Sequence, residues 1–309
     1  MAADELGPVP ASGRQIELRS GDAVATVVEV GGGLRTYSVG GRQVVDGYGA
    51  DEMAPSARGS HLIPWPNRIR QGLYAWEGKR LQLPITEHAL GNASHGLTRW
   101  HNWRAVEPSA AAVTMALRLH PSSGYPFTLD LALRYELSGQ GLAVTVRARN
   151  VGARPAPFAY GAHPYVMATP GATIDADTLH VPAASRVPVD ATSTPTGRAP
   201  VEGTPYDFRK PSAIGDRVLD TAYTDLRRTP DGRSTVTLRG EHGAVVVWQD
   251  ESFGYTQVFT GDTVAPERRR RSVAVEPMTS PANAFSSGED VVRLEPGQVF
   301  EGAWGITPS

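Results

Sequence analysis

Leu131-Ala132-Leu133-Arg134-Tyr135-Glu136-Leu137, then Ser138-Gly139-Gln140-Gly141, then Leu142-Ala143-Val144-Thr145-Val146-Arg147-Ala148 reads as two extended strands joined by a tight turn. Apolar side chains recur at every second position on both sides of the glycine-bearing turn, the period of a strand with one buried face. Val113, Met115, Leu117 and Leu119 repeat the pattern just upstream. Shorter versions occur at Val24, Val28 and Val30, at Val236 and Leu238, and at Val245 and Val247, in the β-branched company that suits a pleated surface. Sustained helical spacing is nearly absent. Gly31-Gly32-Gly33, Gly40-Gly41 and Asp231-Gly232 punctuate the runs where a turn needs a positive φ. Many short strands joined by such turns predict an all-β fold, a sandwich or a barrel.

The 309 residues would allow two domains, but no linker-like shift in composition divides them. The Pro/Ser/Thr-rich stretch from Val187 to Pro205 is expected to be a long surface loop, because strand-like sequence resumes after it. Residues 15–309 are therefore read as one domain, and residues 1–14, small and polar with two prolines, as a loose tail.

Lys and Arg number 30 against 32 Asp and Glu, a balance that does not suit a dedicated nucleic-acid binder. With 40% apolar residues the chain can build a core, and a unit of this size buries roughly 75% of its unfolded surface. No apolar run is long enough for a membrane helix, and no secretory signal is visible, so a cytoplasmic location is expected. Without cysteine there is no thiolate nucleophile and no Cys-ligated zinc. No nucleotide-binding or metalloprotease motif appears, so no cofactor or metal is expected. Chemistry must come from His, carboxylates, Arg and the backbone.

A few residues stand out. His163 in Tyr160-Gly161-Ala162-His163-Pro164-Tyr165 is held extended by the proline after it, as an acid or base with a short reach must be. His95 precedes a glycine in Asn92-Ala93-Ser94-His95-Gly96. Glu276 interrupts the apolar run Val273-Ala274-Val275-Glu276-Pro277 and either points to water or is partly buried, which would raise its pKa toward that of a useful base. Asn67 and Arg68 follow Trp65-Pro66, a set suited to hydrogen-bonding and covering a polar ring. Asp220 and Gln257 are polar residues among apolar neighbours, and Arg268–Arg271 is expected to be a solvated loop.

Together these pieces resemble the aldose 1-epimerase (galactose mutarotase) family: Asn67-Arg68-Ile69 with Gly72 and Tyr74, Asn92 to Gly96, His163-Pro164-Tyr165, and Glu276-Pro277-Met278-Thr279 with Asn283-Ala284, in the family's order from about Ile16 to Ile306. The resemblance implies a large antiparallel β-sandwich, the galactose mutarotase-like supersandwich. It implies Glu276 as general base and His163 as general acid, facing each other across a bound pyranose. Asn67, Arg68, His95, Tyr165, Asp220 and Gln257 would hold the sugar. The implied partner is a small aldose, with neither nucleic acid nor membrane, acted on by a monomer or homodimer. Val166 and Ser280-Pro281-Ala282 depart from the family pattern beside the sugar site. An anionic hexose, phosphorylated or sulfonated, and a non-catalytic carbohydrate-binding or regulatory role on the same fold are the alternatives. A glycoside hydrolase is disfavoured, because it normally needs two flanking carboxylates and the sequence offers one well-placed candidate.

Overall fold

The computed structural model describes residues 8–309, and among these the chain is built almost wholly of antiparallel strands. The opening hairpin forms as read. Leu129–Ser138 pairs with Gly141–Asn150 so that Leu131 faces Ala148, Leu133 faces Val146, Tyr135 faces Val144 and Leu137 faces Leu142. These alternate residues are buried, and most of those between them are at least partly exposed. The hairpin lies within a nine-stranded sheet, where Gly141–Asn150 also pairs with Val299–Pro308 from the far end of the chain. Pairing a middle strand with a late one draws distant segments together, and one cluster of buried apolar residues runs from Ile16 to Ile306.

The second large sheet has Val273–Met278 near its centre, flanked by Tyr255–Phe259 on one side and by Gly161–Ala162 and Tyr165–Val166 on the other. Alternation sends Val273 and Val275 into the core between the sheets, with Tyr223 and Val258 beside them. The opposite face carries Glu276, with Gln257 directly across from it on the next strand. All six residues of Val273–Met278 are buried, so this second face is covered too, by loops and small ribbons rather than by water.

A buried polar chain pins the core beneath the site. Trp304 Nε1 donates to the Tyr160 hydroxyl at 2.9 Å, and Tyr135 donates its hydroxyl proton to the Gly32 carbonyl at 2.6 Å. His61 bridges the two, Nδ1 on Tyr160 and Nε2 on Tyr135. Since Tyr135 has spent its proton on Gly32, it accepts from His61, whose proton is thereby assigned to Nε2 and whose Nδ1 accepts from Tyr160.

Two expectations need correction. The loose tail ends before Arg14: residues 1–7 lie outside the described residues, but Ser12 is buried and donates to the Ala50 carbonyl at 2.6 Å. In the basic run only Arg269 and Arg271 are exposed. Arg268 donates to the Gly47 carbonyl at 2.8 Å and meets Glu52 at 3.0 Å, while Arg270 meets Asp262 at 2.8 Å and Asp175 at 2.7 Å. Glu52 and Asp175 come from distant segments, so two of the four arginines staple loops together.

Candidate active site

Backbone pairing alone brings His163 to Glu276. The strands on either side of the His163-Pro164 step both pair with Val273–Met278, and Val275 N donates to the Pro164 carbonyl at 3.1 Å. His163 N donates to Ser60 O at 3.0 Å and its own carbonyl accepts from Gly59 N at 2.9 Å. The imidazole is thus delivered by a fixed, extended backbone, as the proline requires. Its Nε2 stands 3.3 Å from Glu276 Oε1. No pyranose ring fits between groups that close, so the two residues stand side by side and not, as expected, on opposite sides of a sugar.

A small ribbon of Arg68–Arg70 and Asn92–Ser94 supplies the next wall. Asn67 and His95, at its ends, both sit in the left-handed region with φ of 52° and 60°, a conformation that Asn and His adopt more readily than most residues. His95 N donates to Asn67 O at 2.7 Å, locking the two together. Gly96 follows with φ of 69°, and a Cβ there would fall 2.1 Å from the Ile63 carbonyl oxygen. Only glycine fits, so the His95-Gly96 pair of the motif has a steric cause. The Asn283-Ala284 piece also gains one: Asn283 Oδ1 accepts from Arg70 N at 3.0 Å and its N–H donates to Arg68 O at 2.6 Å, fastening the ribbon that carries Arg68.

These walls enclose a cleft of about 430 Å³, a size usual for small-molecule sites. His163, Glu276, Asn67, Arg68, His95, Tyr165 and Asp220 all line it. Gln257 does not. It lies behind Asp220, to whose Oδ1 its Nε2 donates, in a small void shared with Asn67, Arg68 and Val187. Its side chain leaves the same face of the sheet as Glu276, so it borders the site from this adjoining void.

Sequence reasoning missed Glu87, Arg99 and Trp100, which also line the cleft. Glu87 takes two hydrogen bonds of 2.9 Å from Arg68 Nε and Nη2, and Asn92 Nδ2 donates to its other side at 3.0 Å. Nothing in Thr86-Glu87-His88 signals this, since the pairing exists only once the ribbon forms. Arg99 and Trp100 continue the His95 motif, so adjacency was the available clue. The Arg99 guanidinium lies 4.4 Å from the ring centre of the half-exposed Trp100, and it meets no carboxylate among the described residues.

Burial governs the electrostatics. It lowers the His163 pKa to about 3, with the nearby charges of Arg99, Arg58 and Arg68 adding to the effect. It lowers His95 well below its ordinary value, and His163, Arg99 and Arg68 push the same way. Burial raises Glu276 well above the usual carboxylate range, Asp220 raises it further, and Arg68 opposes both. Burial also works against the charge of Arg68, but its hydrogen bonds to Glu87, with Asp220 and Glu276 nearby, outweigh that and raise its pKa. Arg99 has no such help, and desolvation lowers it to about 10.

Glu276 Oε2, His163 Nδ1, His95 Nδ1 and Arg99 Nε are buried without a hydrogen-bond partner. Buried polar groups in folded proteins are nearly always paired, and four unpaired atoms on residues that line one cleft mark it as built for a polar ligand. Among the described residues no group of three or more His, Asp or Glu is placed to hold a metal ion. No helix there is long and apolar enough to cross a membrane.

On one covered face of the β-sandwich, a buried imidazole–carboxyl pair ringed by hydrogen-bonding groups opens onto a cleft sized for a small polar ligand. The chain belongs to the aldose 1-epimerase family, whose model matches residues 14–307. It is 34% identical over 288 residues to the uncharacterized protein YihR of Escherichia coli strain K12, covering 93% of this chain and 91% of that protein. Human galactose mutarotase is 30% identical over 158 residues, about half of each chain, at 50% and 46%. Among solved structures, the GalM/aldose epimerase homologue of C. elegans superposes with a TM-score of 0.86 at 19% identity over 96% of this chain and 98% of that one. Galactose 1-epimerase of Lactobacillus acidophilus NCFM gives 0.78 at 21% identity over 94% and 92%. At those identities the structures speak for the fold, a large antiparallel β-sandwich of the galactose mutarotase type.

Proposed function

We propose that this protein is an aldose 1-epimerase that interconverts the α and β anomers of a free hexose. The observation that carries the reading is the 3.3 Å contact between His163 Nε2 and Glu276 Oε1 in the wall of the cleft. Opening a pyranose requires taking the proton from the C1 hydroxyl and giving one to the ring oxygen. Both oxygens are bonded to C1, so the acid and the base must stand side by side, within hydrogen-bond reach of the two atoms. Glu276 takes the hydroxyl proton and His163 protonates the ring oxygen. The free aldehyde turns about C1–C2, and reclosure reverses the two roles.

The proton count makes the pair self-sufficient. Carboxylate with imidazolium, and carboxylic acid with neutral imidazole, hold the same number of protons, and ring opening converts the first form into the second. Burial favours the second form. Arg68 favours an ionised Glu276 but disfavours an imidazolium at His163, so the first form depends on the sugar itself, with a hydroxyl donating to Oε2 and the ring oxygen accepting from Nε2. Arg68 and His95 then meet the developing negative charge in a partly dry site, where fixed donors are worth most. Asp220 is a second carboxylate in the cleft, but it is exposed and tied to Gln257, which suits it to holding a hydroxyl.

Arg99 supports a second reading, a hexose carrying an anionic group at C6. Its cation has no carboxylate partner among the described residues and acts on His163, the group assigned to the ring oxygen, next to which C5 carries C6. The test of both is exchange NMR or polarimetry on freshly dissolved α-glucose and α-galactose and on their 6-phosphate and 6-sulfonate analogues, with spontaneous mutarotation subtracted. Acceleration of the neutral sugars supports the first reading. A kcat/KM at least tenfold higher for the anionic sugars, lost in Arg99→Gln, favours the second. Saturable sugar binding by calorimetry without acceleration of any of them would leave a binding protein and remove the enzyme.

A further inference from the structure

The catalytic imidazole lacks the usual device for orienting a histidine. Its Nδ1 is buried and meets no group beyond its own backbone, whereas a working histidine commonly has that nitrogen fixed by a carboxylate or by another residue's carbonyl. What touches the ring instead is another ring. Tyr165 stacks on His163 with centroids 5.1 Å apart and planes 16° from parallel. On Tyr165, in turn, lies the guanidinium of Arg58, its central carbon 4.1 Å from the ring centre.

We infer that Arg58 is the positioning residue for His163, holding the imidazole plane through the Tyr165 ring so that Nε2 stays on Glu276. Arg58 is 2% exposed, and its fork is locked in plane by Asp46, at 2.9 Å from Nη2 and 3.2 Å from Nε. Asp46 is itself held by Ser272 Oγ at 2.9 Å and Arg268 at 3.5 Å. A buried ion pair is a poor source of stability, because desolvation consumes most of what the attraction returns. A planar cation over an aromatic face, by contrast, fixes the ring in position and favours it energetically, and lysine cannot reproduce the fork. The inference rests on the acid–base reading of the site. The groups whose charge or proton faces His163 are Glu276, His95, Tyr165, Arg99, Arg68 and Arg58 itself.

Arg58→Lys and Arg58→Gln separate plane from charge. Each variant is first checked for folding by thermal unfolding, then measured for kcat and KM in anomer exchange and for the titration and tautomer of His163 by ¹⁵N NMR of labelled histidine. Arg58→Lys should lower kcat by about ten- to a hundredfold with KM within about twofold, the expected cost of a misplaced catalytic group, and leave the His163 titration in place. Arg58→Gln should lower kcat similarly and also move the His163 titration upward, because a positive charge near it is gone. In a Tyr165→Leu background, neither substitution should lower kcat further. Folded variants with wild-type kcat and an unchanged His163 spectrum would overturn the inference. If Arg58→Gln does not fold, Asp46→Asn, which frees the guanidinium to turn, should show the same kcat loss, and its absence would count against the inference equally. If the wild-type protein exchanges no anomers, the proposed activity fails, and the His163 spectrum alone still decides whether Arg58 orients the ring.

Discussion

The imidazole of His163 and the carboxyl of Glu276 meet at 3.3 Å with both side chains almost wholly withdrawn from water. Burial pushes each group toward its neutral form, which places the pair's one exchangeable proton on the carboxyl. In the mechanism proposed above, ring opening and reclosure move that proton from one partner to the other through the sugar.

Under the proposed mechanism, removing either partner disables the exchange. Glu276→Gln and His163→Ala should each lower kcat by about 10²–10⁴, the usual scale for a general acid or base, measured by exchange NMR on whichever aldose the wild-type accepts. Near-wild-type rates in a folded variant would remove that residue from the mechanism.

The same Glu276→Gln change should stabilise the protein above neutral pH. A carboxyl whose folded pKa is raised contributes stability below its unfolded value near 4.5 and loses it as pH rises through the folded value, so ionised Glu276 is a cost at pH 8 that glutamine does not carry. The variant's Tm should exceed the wild-type's at pH 8, and the gap should narrow toward pH 4–5. A Tm gap that does not vary with pH would mean that the folded carboxyl titrates normally.

Acid should act in the opposite direction through the buried histidines. His61 and His163 are held near pKa 3 against an ordinary 6.5, so the unfolded chain binds protons that the folded one refuses between those values. Stability present above pH 6.5 should fall on acidification toward pH 3, by up to about 1.4 kcal/mol per pH unit for each such histidine. Denaturant unfolding at pH 7, 5.5 and 4.5 measures the slope. ¹⁵N NMR should show His61 still neutral, with its proton on Nε2, at pH 4.5.

Gly96→Ala should be among the most damaging small changes in the chain. The added methyl meets the Ile63 carbonyl at 2.1 Å in a backbone with φ of 69°, so the turn must move, and His95 with it. A loss of about 2–4 kcal/mol in unfolding free energy is expected, together with a fall in kcat/KM. Wild-type stability would show that the turn yields freely.

Glu87→Gln leaves the cleft's shape but weakens the grip on Arg68, whose two short bonds end on that carboxylate. Arg68 should become mobile, and kcat/KM should drop by about tenfold while the fold is retained, as expected for losing a charge-assisted pair that orients a binding group. Unchanged kinetics would mean that Asp220 and Glu276 hold Arg68 well enough alone.

Several of these residues were legible before any coordinates. A strand period of two announces itself locally, which is why the Leu131–Ala148 hairpin and the β architecture could be read directly, and why a proline after His163 implied a held side chain. The left-handed conformations of Asn67, His95 and Gly96 fall on residue types that tolerate them, but the ribbon's geometry is what requires them there. The roles proposed for Glu276 and His163 came from the family resemblance, since local pattern assigns none.

Other features depended on parts of the chain far apart in sequence. Whether Glu276 faces water or a cleft was left open by its run, because alternation says which residues share a face but not what covers it. Gln257 was expected among the sugar-holding groups; the register sets it on the same face as Glu276, and its amide donates to Asp220 at the edge of the cleft, a pairing that no local pattern announces. Glu87 and Arg58 carry no local signal, since each matters through a partner on a separate segment, Arg68 for one and Tyr165 for the other. Side-chain chemistry and backbone preference are properties of a few neighbouring residues and are written in their order. Desolvation, pKa and the closeness of acid to base arise when strands more than a hundred residues apart are hydrogen-bonded side by side, as Tyr165 is with Ala274, and only the folded chain creates them.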